Sequence, residues 1–180
     1  RGRRRTRLAT RRRWKARAII KLSSIPRAKL VYIALSKPNA RDLLWEPLKF
    51  SIEKMAQRHD GLRMGKDVLF SESQLTCTFL RTGGVLQLFG ADKRDEIEKL
   101  RGRPFHEVAL DETASSDNQL VEDLIDRIVG PRLGDYKGCF VMVGTPGHIL
   151  QGQFYNATAP GSKFHRPYAH RVKQAVLVAK

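Results

Sequence analysis

The apolar positions along the chain follow two rhythms. Leu30-Val31-Tyr32-Ile33-Ala34-Leu35 is an unbroken apolar run of strand length. Such a run predicts a strand buried on both faces, as in a parallel sheet. Val108-Ala109-Leu110 and Cys139-Phe140-Val141-Met142-Val143 repeat the pattern. Elsewhere the period lengthens. Trp14, Ala18 and Leu22 mark one face of a helix closed by Pro26. Leu44, Leu48, Ile52 and Met55 mark a second helix, opened by Pro38-Asn39 with Asn39 as its N-cap and interrupted near Trp45 by Pro47. Leu120, Leu124 and Ile128 mark a third helix over 118–133, with Val121 and Ile125 beside them.

Val68-Leu69-Phe70 predicts a short strand, and 75–80 and 85–89 flank Arg81-Thr82-Gly83-Gly84 as a hairpin. Residues 92–100 read as a turn or two of polar helix. After Pro146 the chain reads as an aromatic loop, and 172–180 as a strand or helix. Alternating helices and buried strands predict an α/β fold: a three-layer sheet, mostly parallel, with an antiparallel hairpin added.

Charge changes this picture at one end only. The chain has 180 residues and a net charge of +16. Thirteen lysines and arginines lie in residues 1–30 with no acid among them, which leaves +3 for residues 31–180. A near-neutral body carries a polycationic head, and such a head attracts phosphate in nucleotides, nucleic acids or anionic lipid. An acid-free, arginine-rich start also resembles a transit peptide, but it leads into a strand without a linker. Cys77 and Cys139 sit far apart in apolar runs and read as buried core thiols. No apolar run is long enough for a membrane span, and the five histidines do not cluster at metal-ligand spacing.

The chemistry concentrates at two strand ends. Val108-Ala109-Leu110 runs into Asp111-Glu112, and Val141-Met142-Val143 runs into Gly144-Thr145-Pro146. Two adjacent carboxylates at a strand end suit nucleoside-triphosphate hydrolysis, one organising a metal shell and the other polarising a water. A strand running into an acidic helix start would give the same letters.

In order and spacing these segments resemble the ATPase domain of phage terminase large subunits, over roughly residues 2–170. The resemblance is carried by Tyr32-Ile33-Ala34 with 40–49, by Leu100-Arg101-Gly102, by Val108 to Glu112, by 131–138, and by Val143-Gly144-Thr145-Pro146-Gly147. It implies a P-loop ATPase core over 30–160, ATP and Mg²⁺ as cofactors, and ATP hydrolysis driving DNA into a procapsid in the host cytoplasm. Its implied partners are double-stranded DNA, further copies in a ring, a portal and a small terminase subunit. Asp111 would hold Mg²⁺, Glu112 would orient the attacking water, and Gly144 and Thr145 would couple nucleotide state to movement. Arg101 is the nearest match to an arginine that reaches a neighbouring subunit's nucleotide, and also reads as a solvated helix-end charge.

The phosphate loop departs from the pattern. Gly2-Arg3-Arg4-Arg5-Thr6-Arg7-Leu8-Ala9 starts like the family's Gly-Arg-Arg loop and ends like its helix entry. The Gly-Lys expected before Thr6 is absent. Gly2, Arg4, Arg5 and Thr6 remain the candidate phosphate contacts, with the Thr6 hydroxyl on Mg²⁺. Arginine is bulky and planar where the loop calls for a compact ammonium, so impaired hydrolysis is expected. The expected domains are a basic head at 1–29, the core at 30–160 and a linker at 161–180 toward a nuclease half beyond Lys180. Two alternatives stay open: a helicase-type ATPase, whose Asp-Glu-x-His/Asp continuation is not met by Thr113-Ala114, and a non-enzymatic basic nucleic-acid-binding protein. Phe164-His165-Arg166-Pro167-Tyr168 reads as packing of the linker, or as stacking on DNA.

Overall fold

A computed structural model describes residues 2–57, 62–144, 152–158 and 175–179, with side chains for 10–57, 62–144 and 152–157. The helices are α1 (Gly2–Ser24), α2 (Lys37–Ala40), α3 (Glu46–Ala56), α4 (Arg94–Glu98), α5 (Asn118–Asp123), α6 (Gly130–Leu133) and α7 (Gln153–Thr158). The strands are β1 (Lys29–Ala34), β2 (Val68–Ser71), β3 (Thr76–Phe79), β4 (Gly84–Gly90), β5 (Glu107–Leu110), β6 (Cys139–Val143) and β7 (Ala175–Ala179).

All seven described strands form one sheet in the order β2-β3-β4-β1-β5-β6-β7. The centre, β4-β1-β5-β6, is parallel. One edge carries the expected antiparallel hairpin. The other carries β7, antiparallel to β6, within the stretch expected as linker. The parallel strands are buried almost throughout: β5 and β6 are covered at every residue, and β1 at all but Lys29.

Two apolar clusters flank the sheet. Trp14, Ala18 and Leu22 of α1 pack with Trp45, Leu48 and Ile52 on one face, against Tyr32, Ala109 and Val141. Ile97, Val121, Leu124, Ile128 and Phe154 cover the other, against Val31, Ile33, Val108 and Leu110. The three-layer α/β reading holds. Met55, expected with Leu44, Leu48 and Ile52, is more than a third exposed.

Local chemistry explains the helix boundaries. Ser36, not Asn39, caps α2: its hydroxyl accepts the Asn39 amide. Ser36 holds extended backbone while Asn39 is already inside the helix, three residues on, where a capped amide belongs. A π-helical turn over Arg41–Trp45 joins α2 to α3 just ahead of Pro47. A second, over Leu124–Ile128, sits just ahead of Gly130-Pro131. Proline lacks an amide and crowds the carbonyl four residues back, so a widened turn lets each helix continue. At Gly130 a Cβ would lie 1.6 Å from the Ile125 carbonyl oxygen, so only glycine fits there.

Candidate active site

Strand alternation aims the site. Along β5, Val108 and Leu110 face α5, while Ala109 faces α1. Glu107 and Asp111 keep step with Ala109. Asp111 is fully buried at the carboxyl end of β5, where its amide donates to the Ile33 carbonyl. Glu112 then turns sharply, with φ +53° and ψ +35°, a region that few residues other than glycine occupy. The chain reverses through a 3-10 turn over Thr113–Ser115, held by the Thr113 hydroxyl on the Leu110 carbonyl at 2.9 Å. The strained residue is therefore one of the two acids.

Four donors reach Asp111. The Arg11 Nε lies 2.5 Å from Oδ2, and the Tyr32 hydroxyl donates to the same oxygen. The Glu112 amide lies 2.8 Å from Oδ1 and Arg11 Nη2 3.3 Å from it. The same Nη2 lies 2.7 Å from Glu112 Oε1. One guanidinium thus bridges both carboxylates. Burial alone would lower the Arg11 pKa, but the hydrogen bond and charge of Asp111, helped by Tyr32 and Glu112, more than reverse this and raise it. Burial, followed by the Asp111 charge and hydrogen bond, lifts the Tyr32 phenol well above its ordinary value.

The end of β6 closes the other side. A Cβ on Gly144 would meet the Ala114 amide nitrogen at 3.1 Å, the Thr113 amide nitrogen at 3.3 Å and the Phe154 ring at 3.4 Å. The two strand ends singled out in the sequence are therefore packed neighbours. Helix α7, which the sequence reads as loop, brings Phe154 onto this junction. Thr145, Pro146 and Gly147 lie outside the described residues.

The remaining candidates lie at the start of α1 and ahead of β5. Gly2, Arg4, Arg5 and Thr6 lie in the first turns of α1, which is helical from Gly2. Thr6 precedes Arg11 by five residues, about 7.5 Å along the helix axis. Arg101 stands before β5, on the opposite edge of the sheet from Asp111. There it pairs with Glu98 at 2.7 and 3.1 Å and donates to the Arg127 carbonyl at 3.2 Å, and its side chain is about half exposed.

Arg11 and Tyr32 were not anticipated from sequence, though both left a signal. Arg11 extends the Trp14, Ala18, Leu22 stripe by one turn, placing a charge on the face that packs against the sheet. Tyr32 sets the one hydroxyl in an otherwise aliphatic strand. The opposite end of α1 repeats the device: Lys21 and Arg17 lie 2.5 and 3.0 Å from buried Glu107.

No protein-family model matches this sequence, and no curated protein does either. Solved structures do match. The ATPase domain of the large terminase of Thermus phage P74-26 aligns over 83% of this chain and 59% of its own, with a TM-score of 0.62 at 15% identity. The fold is that of a large-terminase ATPase domain. The large terminase of bacteriophage HK97 aligns over 79% of this chain and 28% of its own, with a TM-score of 0.59 at 15% identity. That of a thermophilic bacteriophage aligns over 63% and 26%, with a TM-score of 0.50 at 17% identity. The chain thus spans less than two thirds of each of these chains, and under a third of two of them. No described helix is long and apolar enough to cross a membrane.

Proposed function

We propose that this chain is the ATPase part of a viral DNA-packaging motor, hydrolysing ATP with Mg²⁺ to move double-stranded DNA. The observation that carries the reading is Asp111-Glu112 at the carboxyl end of a central parallel strand, with the turn that follows them, at Thr113 and Ala114, packed against the end of β6 at Gly144. In open α/β sheets that edge is where ligands bind.

The donor set fits a magnesium ion. Asp111 and Glu112 offer hard oxygen ligands, and a cation, the Arg11 guanidinium, already lies between them. No group of three or more histidine, cysteine or acidic side chains gathers among the described residues. The two carboxylates suit magnesium, which typically takes one or two and completes its shell with phosphate and water. When bound, the ion would neutralise charge on the transferred phosphoryl group. Asp111, fixed by Tyr32 and the Glu112 amide, would hold it. Glu112, turned out of the strand by its left-handed backbone, would accept a proton from the attacking water. Gly144 and Thr145 would couple nucleotide state to movement. Gly2, Arg4, Arg5 and Thr6 remain the proposed phosphate contacts, without the usual lysine. Half-exposed Arg101, on the far edge, would serve an adjoining copy in a ring that also engages a portal and a small subunit at the procapsid.

In a chain with Gly-Lys restored ahead of Thr6, Glu112→Gln should abolish ATP turnover while leaving nucleotide affinity within about threefold, since the base is lost and Asp111 still holds the metal. Equal turnover in the variant and the parent would remove Glu112 from this role. A second reading, a basic nucleic-acid-binding protein without turnover, draws support from the Arg11 bridge and the helical start of α1. DNA binding with strong salt dependence but no ATP hydrolysis, even after Gly-Lys is restored ahead of Thr6, would favour it.

A further inference from the structure

We propose that Arg11 is an internal counter-cation that keeps divalent metal off the acidic pair until a triphosphate arrives. The inference rests on the ATPase reading above and adds an order of events to it. Both oxygens of Asp111 are engaged, one by Tyr32 and Arg11, the other by Arg11 and the Glu112 amide. Tyr32 is anchored in β1 and the amide belongs to the backbone. Arg11 is the partner with a long rotatable stem, so a metal must enter by taking its place. A guanidinium and a dication cannot share these oxygens without like-charge repulsion, which is strong where water is scarce. The Arg11 side chain is only 14% exposed, so on leaving it has little solvent to enter. A triphosphate changes both terms. It supplies the metal with further oxygens and offers the released guanidinium a new anion. Metal alone binds weakly, and metal with nucleotide binds as a unit.

The test uses the full chain. In the wild type, the ¹⁵N-resolved Arg11 Nε–H should exchange slowly with solvent and stay protected when MgCl₂ alone is added. It should lose protection when MgCl₂ and a non-hydrolysable ATP analogue are added together. Arg11→Gln should bind Mn²⁺, followed by the EPR signal of the free ion, at least about tenfold more tightly than wild type, whereas Arg11→Lys, which keeps the charge, should not. Mn²⁺ should also raise the melting temperature of Arg11→Gln more than that of wild type. Equal Mn²⁺ affinity in wild type and Arg11→Gln, with Asp111→Asn weakening both, overturns the gate but leaves the metal site standing. No Mn²⁺ binding in any variant, with or without analogue, removes the site and the gate together. Should Arg11→Gln not fold, the wild-type exchange measurement decides: protection that persists with the analogue bound overturns the proposal.

Discussion

The two acids play unequal structural parts, and single substitutions should separate them. Asp111 is held by Tyr32, so Tyr32→Phe removes a donor from a buried carboxylate. The expected cost is about 1.5–3 kcal/mol in urea denaturation. Among the described residues, Glu112 is one of four non-glycine residues at positive φ, with Arg27, Leu75 and Lys137. Lys137 is exposed at φ +48°, so Lys137→Gly should stabilise the chain by about 1 kcal/mol. Glu112→Gly relieves the same conformation but loses the contact with Arg11, so its melting temperature should rise less than that of Lys137→Gly. Equal gains would mean that the Arg11–Glu112 contact contributes nothing. This pairing shows where sequence stops. Asp111-Glu112 is legible as letters, but their bridging partner is a hundred residues away, and contact over that distance has no local pattern.

Periodicity transmitted the elements well where one face is apolar and poorly where capping or proline decides. The Trp14, Ala18, Leu22 stripe is buried as read, and so are the parallel strands. The start of α1 at Gly2 was hidden because its first turns are arginine-rich and show no apolar period. The interrupted helices were visible as proline problems, but their remedy, a π-helical turn, was not. Gly130→Ala tests that remedy. A methyl cannot fit against the Ile125 carbonyl, so the substitution should cost about 2–3 kcal/mol in chemical denaturation. The Arg127 carbonyl, four residues before Pro131, takes the Arg101 guanidinium instead. Arg101→Ala should therefore lower stability even in an isolated copy, and any further loss of turnover that appears only on assembly would be its contribution across a boundary.

For the molecule as a whole, charge and burial set the response to solvent. Exposed Arg12 and Arg13 lie on the outer side of α1; replacing either with serine should reduce the slope of log affinity for duplex DNA against log salt by about one. Alkali is the weak side of the fold. Burial pushes the Cys77 thiol up to about 12 and, with the neighbouring Glu107 charge, the Cys139 thiol up to about 11. Tyr32 is raised as well. Above pH 9 the unfolded chain releases protons that the folded chain retains, so stability falls as pH rises through 9 to 12. Urea midpoints at pH 8 and 10.5 should draw closer when Cys77 and Cys139 are both replaced by alanine, the remaining gap being the share of Tyr32. Helix α1 adds a constraint of another kind. Ten residues separate Arg11 from Lys21, about 15 Å of helix, and four separate Asp111 from Glu107, about 13 Å of strand. Cations also stand four places earlier, at Arg7 and Arg17, so a one-turn slip would still offer positive charge to both acids. It would also move Thr10 into the berth of Trp14. Electrostatics therefore tolerates two alignments of this rod on its strand, and the shape of a single indole selects between them.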